Sequence, residues 1–169
     1  MPDKELHRDV RILITGGTLD KVHDARTEGL GFPSDGTSHI PEMLAVGRCH
    51  FPITQRVLQK DSLEFTDQDR SMILEAARSA AEEALVITHG TGTMGQTARF
   101  LDGKLPDKTV VLTGAMRPFS LSSSDGEFNL GAAITAAQIL PAGVYGAMNG
   151  RMFAAAQLNK NIETGRFDT

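Results

Sequence analysis

The chain has 169 residues, 40% of them hydrophobic, and a formal net charge of −4, which predicts one globular domain over 1–169 and argues against a nucleic-acid partner. Its single cysteine excludes an internal disulfide and a zinc cluster, and the scattered histidines lack metal-ligand spacing, so no metal site is expected. No apolar run reaches the roughly 18 residues of a membrane span, and residues 1–11 lack an apolar signal core, so we expect a soluble, cytoplasmic protein without a membrane partner.

Four short apolar segments, each bounded by glycine, proline or charged residues, predict buried strands. They are residues 10–15, 84–88, 109–114 and 143–148. Helical patterns lie between them, the first capped by Thr66 and the others over 93–101 and 129–140. This alternation of strands and helices predicts an α/β fold with a parallel sheet and right-handed crossovers.

Two segments show no such periodicity. Residues 20–36 are charged and contain glycine, so we expect a long irregular loop of the kind that often serves as a lid. Residues 117–127 hold four serines followed by Asp125-Gly126, which predicts a polar loop before the third helix.

Two of the predicted strands end in similar turns of threonine and glycine. The first reads TGGT over 15–18, and the second reads THGTGT over 88–93. In an open parallel sheet, the carboxyl ends of the strands form the edge where ligands bind. We therefore expect hydroxyls of both turns to face one small pocket, although neither turn has the spacing of a dinucleotide or P-loop fingerprint.

These turns contain the elements of a nucleophilic site. A threonine hydroxyl attacks a carbonyl only after a base takes its proton. Backbone N–H groups, such as those of Gly17 and Gly90, can stabilise the oxyanion that forms. A structural explanation is also open, because threonine and glycine often end strands and cap helices.

The polar residues nearby carry their own alternatives. His89 could act as a base, but no motif marks it as one, and we favour a ring that satisfies neighbouring backbone. Asp61 and Ser62 suit a turn before the Thr66-capped helix as well as they suit a binding site. Lys160, between two asparagines, is by composition a solvated lysine.

Four ordered segments favour the functional interpretation of these residues. They read VRILITGGTLDK over 10–21, VITHGTGTMGQT over 86–97, VVLTGAMRPFSLSSSDGEFNL over 110–130, and AMNGRMFAAAQLNK over 147–160. In this order they resemble the two signatures and the later catalytic segments of bacterial-type L-asparaginases. The resemblance covers nearly the whole chain and implies a three-layer α/β/α sandwich, like the N-terminal domain of that family.

The resemblance also implies roles for individual residues. Thr18 falls on the family's nucleophilic threonine, and Thr91 and Lys160 fall on the threonine and lysine of its second triad. Ser62 matches the serine that binds the substrate carboxylate, and Ala115 matches the alanine whose carbonyl faces the substrate amide. Together they imply hydrolysis of a side-chain amide through an acyl-enzyme, without a metal or an organic cofactor.

The chain departs from the longer family members in three ways. It is about half as long, so we expect one catalytic domain and no C-terminal domain, as in short asparaginases. Gly92 stands where the family usually has the aspartate that holds the substrate's α-ammonium, and Asp61 or Glu64 is a possible replacement. The usual lid tyrosine is missing, because the only tyrosine is Tyr145, inside a predicted strand.

The sequence thus predicts an amidohydrolase that converts L-asparagine to L-aspartate and ammonia, with Gly17, Gly90 and Gly92 beside the substrate. Two alternatives remain open: a non-catalytic module that binds an amino acid or amide, and an amidase for another small amide. Symmetric assembly is common among soluble enzymes, so we also expect a homodimer or homotetramer.

Overall fold

A computed structural model describes residues 6–168. Its centre is a six-stranded sheet whose strands are, from one edge to the other, β4 (Ile53–Lys60), β1 (Val10–Gly16), β5 (Ala84–Thr88), β6 (Thr109–Thr113), β7 (Gly143–Met148) and β8 (Arg151–Ala154). All neighbouring strands are parallel except the last pair, β7 and β8. The carboxyl ends of the parallel strands therefore lie along one edge of the sheet.

Helices cover both faces of this sheet. The helices α2 (Asp67–Ser79) and α3 (Met94–Leu101) pack on one face, and α1 (Ile40–Val46) and α4 (Gly126–Ile139) pack on the other. Successive side chains of β1 alternate between the two cores, with Leu13 in the first and Ile12 and Ile14 in the second. The predicted three-layer α/β/α sandwich is confirmed. Within residues 6–168, none of the helices is both long enough and apolar enough for a membrane span.

The four predicted strands are present, and each ends within one residue of its predicted bound. Two strands of this sheet were not predicted, β4 and β8, which form its edges. Neither carries a continuous buried run: β4 has no buried residue, and β8 has one buried residue of four. Edge strands that are half solvated give a weak hydrophobic signal.

The predicted irregular loop over 20–36 is partly wrong. Residues Val22–Asp24 (β2) and Gly29–Gly31 (β3) pair as an antiparallel hairpin, and strands of three residues are too short to show a period. The short helix α1 was also missed. The polar loop over 117–127 is confirmed as far as Asp125, but α4 begins at Gly126 instead of residue 129.

The predicted cap at Thr66 is confirmed. Its hydroxyl accepts a hydrogen bond from the Asp69 N–H at 3.2 Å, and the Asp69 carboxylate accepts one from the Thr66 N–H at 2.7 Å. This reciprocal capping box fixes the start of α2. The turn before α2 has hydrogen bonds of its own, from the Glu64 N–H to the Asp61 carbonyl at 3.0 Å and from the Phe65 N–H to the Ser62 carbonyl at 3.2 Å.

Candidate active site

The two threonine turns meet at the carboxyl edge of the sheet. Strands β1 and β5 are neighbours, with Ile14 opposite Thr88, so the turns that follow them lie side by side. Their backbones are in direct contact, because a Cβ placed on Gly17 would lie 2.5 Å from the Gly90 nitrogen. Only glycine fits at position 17, whose φ is +82°. Thr18 and Thr91 directly follow the two touching glycines.

Thr18 is the first residue of a 3₁₀ turn over Thr18–Asp20 and is half-buried. The turn is anchored by the buried side chain of Asp20, which accepts hydrogen bonds from the Ser38 hydroxyl at 2.8 Å and the His39 N–H at 2.7 Å. Burial raises the pKa of Asp20, although these donors oppose the rise. The segment after the β2–β3 hairpin therefore holds the Thr18 turn in place.

Thr91 and Lys160 form a hydrogen-bonded pair across the chain. The Lys160 Nζ donates to the Thr91 Oγ1 at 3.1 Å, and Thr91 is buried. Lys160 reaches this point because the preceding segment packs on α3, where a Cβ on Gly95 would lie 2.0 Å from the Leu158 carbonyl oxygen. The absence of a side chain at position 95 thus allows the lysine segment to approach the second threonine turn.

Ser62 lies beneath the second turn and is 1% exposed. Its hydroxyl accepts a hydrogen bond from the Thr93 N–H at 3.3 Å, and its carbonyl accepts one from the Thr93 hydroxyl at 2.8 Å. A Cβ on Gly90 would lie 2.5 Å from the Ser62 Oγ. The end of β4 and the end of β5 are therefore locked together at the same edge.

Asp61 links this turn to the Thr18 turn. One carboxylate oxygen accepts from the Lys21 Nζ at 2.5 Å, and the other accepts from the Leu63 N–H at 3.0 Å. The hydrogen bond from Lys21 is the main reason that the pKa of Asp61 lies below its ordinary value. The ion pair joins the two turns that carry Thr18 and Ser62.

Comparison with known proteins gives this arrangement a family. The family model described as "Asparaginase, N-terminal" matches residues 9–169. The chain belongs to the asparaginase family.

Relatives and solved structures agree with this assignment. The chain is 32% identical over 167 residues to the probable periplasmic L-asparaginase of Haemophilus influenzae, covering 92% of this chain and 47% of that protein. It is 37% identical over 122 residues to the glutaminase-asparaginase of Acinetobacter glutaminasificans, covering 66% of this chain and 37% of that protein. The thermostable L-asparaginase of Thermococcus kodakarensis matches with a TM-score of 0.74 at 27% identity, covering 88% of this chain and 46% of that chain. The chain thus spans less than half the length of these asparaginase-family relatives.

The three predicted catalytic residues, Thr18, Thr91 and Lys160, lie along one edge of the sheet. Only two of them are in direct contact with each other. Lys160 touches Thr91 directly, whereas Thr18 is placed near them by the contact of Gly17 with Gly90. Their catalytic roles stay predictions at this point.

Ala115 follows β6 and is fully buried. The preceding residue, Gly114, packs against the second threonine turn, since a Cβ there would lie 2.3 Å from the His89 carbonyl oxygen. The buried Asn129 donates to the Gly114 carbonyl at 2.9 Å and accepts from the Asn149 N–H at 3.0 Å. This amide therefore fixes the backbone that presents Ala115.

His89 is a structural residue in this asparaginase-family fold. One ring nitrogen lies 2.7 Å from the Gly90 carbonyl oxygen and the other 2.7 Å from the Thr97 hydroxyl. Phe65 stacks edge-on against the ring with 4.8 Å between centroids. Complete burial lowers the pKa of His89 to about 4, so the ring is neutral at pH 7 and stabilises the second turn.

The structure also identifies a pairing and a close approach that sequence reasoning overlooked. Lys21 and Asp61 are 40 positions apart, and nothing in the local sequence signals their pairing. Gly95 did carry a signal, since a glycine inside a predicted helix often marks a close approach.

Two cavities border this region. The smaller, about 150 Å³, contains Thr91, Gly92 and Lys160 in its wall. The larger, about 530 Å³, lies between His39 and the serine loop. The smaller cavity adjoins the threonine–lysine pair, but its lining does not include Thr18, Ser62 or Ala115. Among residues 6–168, no cluster of three or more His, Cys, Asp or Glu side chains offers a metal site.

Proposed function

We propose that this chain is an amidohydrolase that hydrolyses the side-chain amide of L-asparagine to L-aspartate and ammonia. The observation that carries the proposal is the hydrogen bond from Lys160 to Thr91 beside a turn that presents Thr18. In this proposal the lysine-bonded Thr91 is the proton-transfer partner that the neighbouring Thr18 needs to act as a nucleophile. Membership of the asparaginase family supports the same reaction class.

In the proposed first step, the Thr18 Oγ attacks the carbon of the side-chain amide, and its proton passes through the Thr91–Lys160 pair to the leaving nitrogen. The Gly90 N–H is the backbone donor proposed for the oxyanion, because the Gly17 N–H already donates to the Lys60 carbonyl oxygen at 3.2 Å. Collapse of the tetrahedral intermediate breaks the C–N bond, releases ammonia and leaves an ester on Thr18.

In the proposed second step, water adds to the ester carbon and Thr18 leaves with a proton restored to its oxygen. Because the Lys160 Nζ already donates to the Thr91 Oγ1, the hydroxyl hydrogen of Thr91 is free to point toward the reacting centre. This pair can therefore pass a proton between water and Thr18. Ser62, Asp61, Gly92 and Ala115 complete the surroundings of the substrate in this proposal.

The proposal is tested by measuring ammonia release from millimolar L-asparagine, with glutamine in parallel. Thr18→Ala is expected to abolish release, and Thr18→Ser to retain part of it because the hydroxyl remains. Thr135→Ala is a matched control, because Thr135 is exposed on α4, and it is expected to behave as the parent protein. Equal release by the parent and Thr18→Ala would contradict the nucleophile. Binding without turnover would instead favour a ligand-binding module, and a preference for glutamine would favour a glutaminase, as the Acinetobacter relative's name describes.

Assembly as a homodimer or homotetramer belongs to the same proposal. Exposed apolar side chains support it, including Val46, Phe51 and Ile53, which are 64%, 47% and 47% exposed. Sedimentation velocity at assay concentration would contradict it by showing monomer alone. The Haemophilus relative is named as periplasmic, so the expected cytoplasmic location stays a prediction.

A further inference from the structure

Arg70 on α2 is a buried cation without a buried acidic partner. Its side chain is only 8% exposed. Within residues 6–168, the only carboxylate oxygen within 4.0 Å of its guanidinium belongs to Asp67, at 3.9 Å, and that side chain is 98% exposed. A buried charge of this kind opposes folding unless hydrogen bonds compensate for the lost water. What keeps Arg70 in this place is therefore its hydrogen bonds to uncharged groups.

The guanidinium holds the first turn of α3 with two of its donors. Its Nε–H donates to the Thr97 hydroxyl oxygen at 3.2 Å, and its Nη2 donates to the Gln96 Oε1 at 3.3 Å. A guanidinium is planar and always charged, so it presents these donors in fixed directions and never accepts a hydrogen bond. Arg70 is thus the donor end of any hydrogen-bond chain that passes through Thr97.

From Thr97 the hydrogen bonds continue through His89 to the second threonine turn. The ring Nε2 lies 2.7 Å from the Thr97 Oγ1, and the ring Nδ1 lies 2.7 Å from the Gly90 carbonyl oxygen. A carbonyl only accepts, so Nδ1 carries the hydrogen, and because the buried ring is neutral, Nε2 is an acceptor. The Thr97 hydroxyl must then donate to Nε2 while its oxygen accepts from Arg70. All three hydrogen bonds therefore run in one direction, from Arg70 to the Gly90 carbonyl.

Solvent does not compete for this chain of hydrogen bonds. His89 and Thr97 are both fully buried, and Phe65 covers the His89 ring edge-on. Hydrogen bonds that are aligned in the same direction polarise and strengthen one another in such surroundings. Removal of one member leaves the next one without its partner, so the chain acts as a unit.

The chain ends on the peptide that immediately precedes the Thr91 side chain. The Gly90 carbonyl and the Thr91 N–H belong to the same planar peptide. A hydrogen bond to this carbonyl therefore fixes the plane from which Thr91 projects. The Thr91 Oγ1 in turn accepts from the Lys160 Nζ at 3.1 Å, so the orientation of this peptide determines the geometry of the threonine–lysine pair.

We infer that Arg70 is a positioning residue for the second threonine turn and that it acts through Thr97 and His89. By fixing the peptide between Gly90 and Thr91, the chain holds the Thr91 hydroxyl in place for proton transfer. The expected effect on rate rests on the proposed amidohydrolase function. The direction of the hydrogen bonds and their effect on the turn are observable without turnover.

NMR of the isotope-labelled protein tests the chain directly. Long-range nitrogen–proton correlations are expected to show a neutral His89 ring with its hydrogen on Nδ1, and a hydrogen on Nε2 would overturn the inference. Arg70→Met is expected to shift the amide signals of Gly90 and Thr91. Arg78→Met is the matched control, because Arg78 lies on the same helix and is 54% exposed, and it should leave these signals in place. Unchanged signals in Arg70→Met would also overturn the inference.

Ammonia release measures the effect on rate. Thr97→Val nearly keeps the shape of the side chain but removes the hydroxyl, so it is expected to lower kcat by roughly tenfold or more, with KM within about twofold of the parent value. Thr97→Ser keeps the hydroxyl and is expected to recover most of the rate. Equal kcat in these two variants, when both are folded, or an equal loss in Arg70→Met and Arg78→Met, would overturn the positioning role. If the parent protein releases no ammonia, the hydrolase proposal fails and the NMR result alone decides the inference.

Discussion

Gly95 in α3 is the residue on which the position of Lys160 depends. A Cβ at this position would lie 2.0 Å from the Leu158 carbonyl oxygen, whereas real Cβ contacts essentially never fall under 3.0 Å. In Gly95→Ala the carbonyl must therefore retreat by about 1 Å. Leu158 has no free space, since it is fully buried and packs closely on Gly146.

Lys160 is two residues beyond Leu158, and its hydrogen bond to Thr91 is 3.1 Å long. A displacement of about 1 Å takes this bond beyond hydrogen-bond range. Misplacement of that size typically costs about 100-fold in rate. We expect Gly95→Ala to lower kcat for amide hydrolysis by about 100-fold, measured by ammonia release.

Gly131→Ala is the matched control, because it makes the same change inside α4, where an added Cβ would meet nothing within 4 Å. Alanine is favoured over glycine in a helix by roughly 0.5–1 kcal/mol, so this variant should keep its activity and melt slightly higher. The melting curve of Gly95→Ala must show a folded protein for the comparison to apply. Equal activity in the two folded variants would refute the role given to Gly95.

The remaining predictions concern the stability of the turns. The pKa of His89 is 6.5 in the unfolded chain and about 4 in the folded protein, so the unfolded state binds more protons between these two pH values. The contribution of the neutral ring to the free energy of unfolding is therefore fully present above pH 6.5 and is lost as the pH falls toward 4. We expect the parent protein to lose about 3 kcal/mol more than His89→Gln over this window; parallel urea titrations with equal pH slopes would contradict this. Asn129→Ala leaves the buried Gly114 carbonyl and the Asn149 N–H without this partner and should lower the free energy of unfolding by about 1–3 kcal/mol. Gln138→Ala, its control in the same helix, should lose under about 1 kcal/mol, and equal losses would count against the role of Asn129.

The buried strands of the sheet could be predicted from the sequence. Each parallel strand between the edges is a short apolar run, and all five residues of β5 and of β6 are buried. The two threonine turns follow such runs, so their meeting at one edge could be expected from topology alone. The cap at Thr66 could also be predicted, because capping depends on residues that are close together in the sequence.

The rest depended on contacts between distant segments. The strand β4 has no continuous apolar run, and its place beside β1 is evident only from the pairing. The ion pair of Lys21 with Asp61 and the contact of Leu63 with Gly92 join residues that are far apart in the chain. Neither contact has a local sequence signal.

The proposed acyl-enzyme on Thr18 is the central claim, and it is tested most directly by trapping the intermediate. The protein is mixed with an excess of amide substrate, quenched in acid within the first turnover, and digested for mass spectrometry. We expect one acyl group on the peptide that contains Thr18, and none on that peptide in Thr18→Ala. An acyl group on the peptide that contains Thr91 would contradict the account.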